Sequence, residues 1–123
     1  MARSALQVFD QVVAASGLRV REGQRLMAEQ VALTFSEADL GKPPEDEDGP
    51  IEALEPQRSI AVIQAGTGVG KSLAYSVPAI ALALARNTRV VISTATVALQ
   101  EQLVHKDLPA LANAFDQPFR FAL

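Results

Sequence analysis

The 123-residue sequence contains no cysteine and no tryptophan, and its single histidine is His105. Without thiols it can form no disulfide, thiolate zinc site or cysteine nucleophile. One histidine builds no metal site alone. No run of about 18 apolar residues exists, so no membrane span is expected. The N-terminus, Met1-Ala2-Arg3-Ser4, leads into a stretch broken by Gln7, Asp10 and Gln11. That lacks the apolar core of a secretion signal, and a cytoplasmic setting is the expectation. Basic charge is scarce as well: 11 Lys and Arg against 14 Asp and Glu leave a net charge of −3. Composition alone therefore announces no nucleic-acid footprint, although a local groove can be positive on an acidic protein. Apolar residues are plentiful at 49%, with 20% charged. Those proportions suit a packed core in one domain of modest size.

Two short amphipathic helices open the chain. Leu6, Val8, Phe9, Val12 and Val13 recur at helical spacing over residues 4–15, and Ser16-Gly17 stops the run. Leu26, Met27, Val31, Leu33 and Phe35 repeat the pattern from Arg21 to Ala38. Residues 40–58 change character. Gly41, Pro43, Pro44, Gly49, Pro50 and Pro56 punctuate them, and Glu45-Asp46-Glu47-Asp48 is an unbroken acidic run. This composition predicts an exposed loop or insertion.

Past the loop, strands and helices alternate. Ser59-Ile60-Ala61-Val62-Ile63-Gln64 is a β-branched run expected to form a buried strand. A glycine-rich turn leads into an apolar helix over 72–84, where Pro78 should kink the helix or bend its first turns, and Asn87 closes it. Residues 89–92 predict a second strand, 96–106 and 108–115 two helices, and 119–123 the start of a third strand. Such alternation implies an α/β parallel sheet with crossover helices. The expected fold is a P-loop NTPase sheet, incomplete in this chain and preceded by two short helices. The expected divisions are 1–39, 40–58 and 59–123.

The strongest motif is Ala65-Gly66-Thr67-Gly68-Val69-Gly70-Lys71-Ser72. The strict phosphate-loop pattern asks for glycine where Ala65 stands; Gly68, Gly70, Lys71 and Ser72 fit it. A strand must end here in a tight loop whose N–H groups turn inward around an anion. Glycine allows the backbone angles and the close approach of phosphate oxygens. Lys71 can reach the β- and γ-phosphates of ATP, and Ser72 can ligate Mg²⁺. The predicted strand before the loop and helix after it are the context the motif requires. A dinucleotide loop is disfavoured, because Gly66, Gly68 and Gly70 do not match G-x-G-x-x-G.

The Ala-x-Thr-Gly-x-Gly-Lys-Ser form resembles motif I of superfamily 2 helicases. Val90-Val91-Ile92-Ser93-Thr94-Ala95-Thr96-Val97-Ala98-Leu99-Gln100-Glu101-Gln102-Leu103, followed by Lys106-Asp107-Leu108-Pro109, resembles motif Ia of the DinG group, itself similar to the XPD-like helicases. Arg21-Glu22-Gly23-Gln24-Arg25 with Met27 resembles the family's Q-motif region. The resemblance runs from about Val20 to Leu111, leaving out the acidic loop.

It implies a RecA-like motor in which Gln24 recognises the adenine edge. In that motor Ser93, Thr94, Ala95 and Thr96 contact the backbone of single-stranded DNA. Capping of the helix that starts near Thr96 is the competing role for those hydroxyls. It further implies 5′→3′ unwinding at duplex junctions by a monomeric motor. Family members also carry an acidic motif II, a second RecA-like domain, an arginine finger and, in the DinG group, often an iron–sulfur cluster on cysteines beyond motif Ia. After Lys71 this chain has only Glu101, Asp107 and Asp116 as acids, and none follows an apolar strand. The expectation is an N-terminal piece of a longer protein that is not a competent ATPase or helicase by itself. A P-loop kinase or GTPase, a non-catalytic nucleotide-binding module, and a CRISPR-associated DinG-like helicase are the alternatives.

Overall fold

The computed structural model describes residues 2–38, 58–66 and 70–123. The residues Thr67, Gly68 and Val69, and all of the acidic stretch except Arg58, fall outside that set. Five α-helices and one π-turn make up its regular structure: α1 Ala2–Ala15, α2 Glu22–Glu37, α3 Lys71–Arg86, α4 Val97–Gln102, the π-turn Leu103–Asp107, and α5 Leu108–Ala114.

The helices end where the chain chemistry says they should. After α1, Gly17 takes a left-handed φ of 70°. Its N–H bonds to the Ala14 carbonyl, and the N–H of Leu18 bonds to that of Val13. Asn87 does the same after α3 with φ 52°, its N–H meeting Leu84 and that of Thr88 meeting Ala83. Both are Schellman closures, and glycine and asparagine are the residues that accept the left-handed geometry most readily. Pro78 does not interrupt α3, which runs through it. It offers no N–H to the Ala74 carbonyl, and nearby Ser76 is fully buried with its hydroxyl unpartnered among the described residues.

Helices α1, α2 and α3 build the core. Phe9, Val12 and Val13 of α1 meet Ala28 of α2, Ala74 and Val77 of α3, and Leu111 of α5. Ala5, Ala32 and Leu82 form a second, smaller cluster. Alanines at 28 and 74 let the helix backbones close around Phe9, which is wholly buried. Removing a side chain of that size from water contributes roughly 1.5–3 kcal/mol. The Arg25 guanidinium meets both oxygens of Asp10 at 3.2 Å and so ties α2 to α1 across the surface. Its hydrogen bond to Asp10 and then that carboxylate's charge raise the guanidinium above its ordinary pKa.

The sheet expected from the sequence is not formed among the described residues. Residues 58–66, 88–94 and 118–123 belong to no helix or ladder. Far from being buried, Ile60 is 84% exposed, Val62 96% and Val91 90%. The physical reason is that a strand satisfies neither its backbone nor its apolar face alone, whereas a helix closes its hydrogen bonds within itself. The helix expected over 96–106 changes character at Leu103, where a wider turn begins. Two positions past its start stands His105, the residue whose carbonyl the ring of Pro109 would strike in a regular helix.

Candidate nucleotide site

Two helix N-termini and one loop supply the site. Gly70 is the N-cap of α3 and sits in the left-handed region, φ 83° and ψ 46°. A side chain is excluded there twice over. The backbone angle disfavours one, and a Cβ would collide with the amide nitrogen of Gln24. Gln24 lies one turn into α2 and is buried, 5% exposed. Its Nε2 donates to the Gly70 carbonyl at 3.2 Å. Lys71 is exposed and curls back over the loop, its Nζ donating to the Ala65 carbonyl at 2.9 Å. Ser72 follows, half-buried in the first turn of α3. Gly66 is exposed, with open space around it.

The structure thus brings Gln24, Ala65, Gly70 and Lys71 together. A buried amide, an ammonium, a left-handed glycine and a helix N-terminus converge on one loop, the donor set that suits a phosphorylated ligand. The hydroxyl of Ser72 is the oxygen in this group suited to a hard divalent cation.

The second segment is separate. Ser93 and Ala95 are exposed. The Thr94 hydroxyl donates to the Thr96 carbonyl at 3.1 Å. The Thr96 Oγ accepts from the Leu99 N–H at 3.2 Å, so Thr96 is the N-cap of α4. The hydrogen bonds of these threonines stay within their own segment.

One interaction had no counterpart in the sequence reading. Arg86, in the last turn of α3, donates to the carbonyls of Phe35 at 2.9 Å, Ser36 at 3.0 Å and Ala38 at 3.0 Å. A signal for it existed. Helix α2 ends in Glu37-Ala38, with no glycine and no basic residue in its last turn. Those final carbonyls need a donor from elsewhere.

Among the described residues, Ala65, Gly70, Lys71 and Ser72 stand at the head of α3 and carry groups suited to a phosphate. Residues 50–115 match the family described as DEAD/DEAH box helicase, and the chain belongs to that family. Membership carries the P-loop NTPase fold class and the family's general use of ATP and Mg²⁺.

Among curated proteins, the chain is 44% identical over 115 residues to an ATP-dependent helicase DinG of Mycobacterium tuberculosis, a match covering 90% of this chain and 14% of that protein. It is 55% identical over 60 residues to an ATP-dependent DNA helicase DinG of Photobacterium profundum, covering 49% of this chain and 9% of the relative. A third DinG helicase, from Salmonella typhimurium, is 55% identical over 49 residues, 40% of this chain and 7% of the relative. The chain therefore spans about a seventh, or less, of the length of these relatives. No solved structure matches it. Among the described residues no helix is long and apolar enough to cross a membrane.

Proposed function

We propose that this chain is the ATP-binding part of an ATP-dependent DNA helicase of the DinG type, its residues 59–123 contributing to the first RecA-like motor domain. The observation that carries the reading is the convergence of Gln24, Gly70, Lys71 and Ala65 on one loop. On this reading residues 1–39 are the helical segment that presents Gln24, and 40–58 an insertion. The extended segments 59–64 and 89–92 are parallel strands of a sheet completed by other parts of the longer protein. The exposure of Ile60, Val62 and Val91 supports it, since apolar β-branched residues suit a pleated surface covered on both faces.

The chemistry follows from the donors. The phosphates of ATP lie in the loop of residues 65–72. Lys71 leaves the neutral Ala65 carbonyl for a charged phosphate oxygen, which makes the stronger, charge-assisted bond. The bond to Gly70 uses one of the two N–H groups of the Gln24 amide. The other N–H and the Oε1 can meet N7 and the N6 amino group of adenine. Guanine offers acceptors at both positions, so the same amide disfavours it. The Ser72 hydroxyl would hold Mg²⁺, which when bound would supply positive charge to the phosphates. The chain has no cysteine, so no iron–sulfur cluster can be held by these residues, and no step here passes through one.

Single-stranded DNA is the proposed partner of Ser93, Thr94, Ala95 and Thr96. Thr96 accepts the N-cap bond with its oxygen and keeps its O–H as a donor toward a phosphate, so capping and DNA contact are compatible. The setting of this reading is a monomeric, cytoplasmic motor acting at duplex junctions, and the 123 residues alone bind nucleotide without turning it over.

The test is the ATPase rate of the intact gene product, with and without single-stranded DNA, beside Lys71→Ala. DNA-stimulated turnover that falls by more than about 10²-fold in the mutant is expected. Turnover indifferent to DNA, or surviving without Lys71, would sink the reading.

A further inference from the structure

Helices α2 and α3 lie side by side in the same direction. Their N-terminal ends meet at Gln24 and Gly70, and their C-terminal ends meet at Ala38 and Arg86. Along α2 the two ties are 14 residues apart, about 21 Å, and along α3 they are 16 apart, about 24 Å. Among the described residues the lower tie is made by Arg86, spanning the carbonyls of Phe35, Ser36 and Ala38.

This tie matters because α2 cannot hold its own end. Its last turn carries Glu37 and no cation, so the negative end of its dipole has an anion beside it where a cation is favoured. Arg86 supplies that cation from the neighbouring helix. Its planar fork reaches several carbonyls at once and resists rotation about any single bond. A helix tied at one end can still slide or tilt against its neighbour. Tied at both, its register is set. The register of α2 decides where Gln24 stands, and Gln24 is buried with its amide on the Gly70 carbonyl at 3.2 Å.

We infer that Arg86 is a positioning residue for the nucleotide loop: by clamping the C-terminal end of α2 to α3, it holds the Gln24 amide on the Gly70 carbonyl some two dozen ångströms away. The inference rests on the reading of residues 65–72 as a nucleotide site, and it adds a residue that touches no nucleotide.

The experiment is a titration of a fluorescent ATP analogue into the full-length protein, for wild type, Arg86→Ala, Arg86→Lys, Gln24→Ala and the double variant Gln24→Ala/Arg86→Ala. The expected result is that Arg86→Ala weakens binding about threefold to tenfold and that this loss disappears in the Gln24→Ala background, the size of coupling seen between groups of one network. Preference for ATP over GTP should fall in parallel, which a general loss of stability would not cause. Arg86→Lys keeps the charge and loses the fork. It falls between the two, and it carries the same test if the alanine variant does not fold. Wild-type affinity in Arg86→Ala would overturn the inference. So would losses that multiply in the double variant, or wild-type affinity in Gln24→Ala, which leaves Arg86 nothing to act through. Lys71→Ala tests the site separately: unchanged affinity there would sink the nucleotide reading whatever Arg86 does.

Discussion

Phe9 and Val62 are both apolar residues in strongly patterned segments, yet Phe9 is wholly buried and Val62 is 96% exposed. The difference separates two regions. In the body of α1, α2 and α3, each helix closes most of its backbone hydrogen bonds within itself, and the other helices of the same chain cover its apolar stripe. The extended segments around Val62 and Val91 need partners on two edges and two faces. Apolar pattern thus predicts burial only where the covering surface is local.

Substitutions tell the two regions apart. Phe9→Ala opens a cavity at the centre of the body and should cost about 3–5 kcal/mol. Chemical denaturation measures it, and a loss below about 1 kcal/mol would place the core elsewhere. Gly70→Ala comes next. A left-handed alanine costs roughly 1–2 kcal/mol, and displacement of Gln24 should weaken nucleotide binding on top of that, by the same titration. Thr96→Ala removes the N-cap of α4 and should cost about 1 kcal/mol, with Thr96→Ser recovering most of it. At the small end, Val62→Thr should change the stability of this 123-residue chain by no more than about 0.5 kcal/mol. The same substitution in the full-length protein should cost clearly more. Equal costs in the two contexts would break the comparison, because Val62 would then not be a covered strand residue anywhere.

Much of the helical body was legible in advance. The spacing of Leu6, Phe9, Val12 and Val13 marked α1, and Gly17 and Asn87 marked helix ends because they tolerate left-handed geometry. Gly70 and Lys71 stood out as candidate site residues through their types and spacing, and Gln24 only through the resemblance to the Q-motif region. The bond from Gln24 to Gly70 was not, since it joins residues 46 apart in sequence. Arg86 escaped for the same reason: its targets lie 48 to 51 residues upstream, and no local pattern points to them. The sheet was expected from β-branched runs whose partners a local reading does not supply. Pro78 was expected to kink α3 or bend its first turns, and the helix continues through it from Lys71 to Arg86.

The π-turn at Leu103–Asp107 has a consequence for rotational phase. Leu103 and Leu111 are both buried, eight residues apart. In an unbroken α-helix that spacing leaves them about 80° out of line. The extra residue held by a wide turn absorbs roughly the rotation of one residue, about 100°, and returns the two leucines to within about 20° of one line. The π-turn therefore works as a phase corrector. It brings Leu103 toward the line of Leu111, the leucine that α5 places in the core with Phe9 and Ala74.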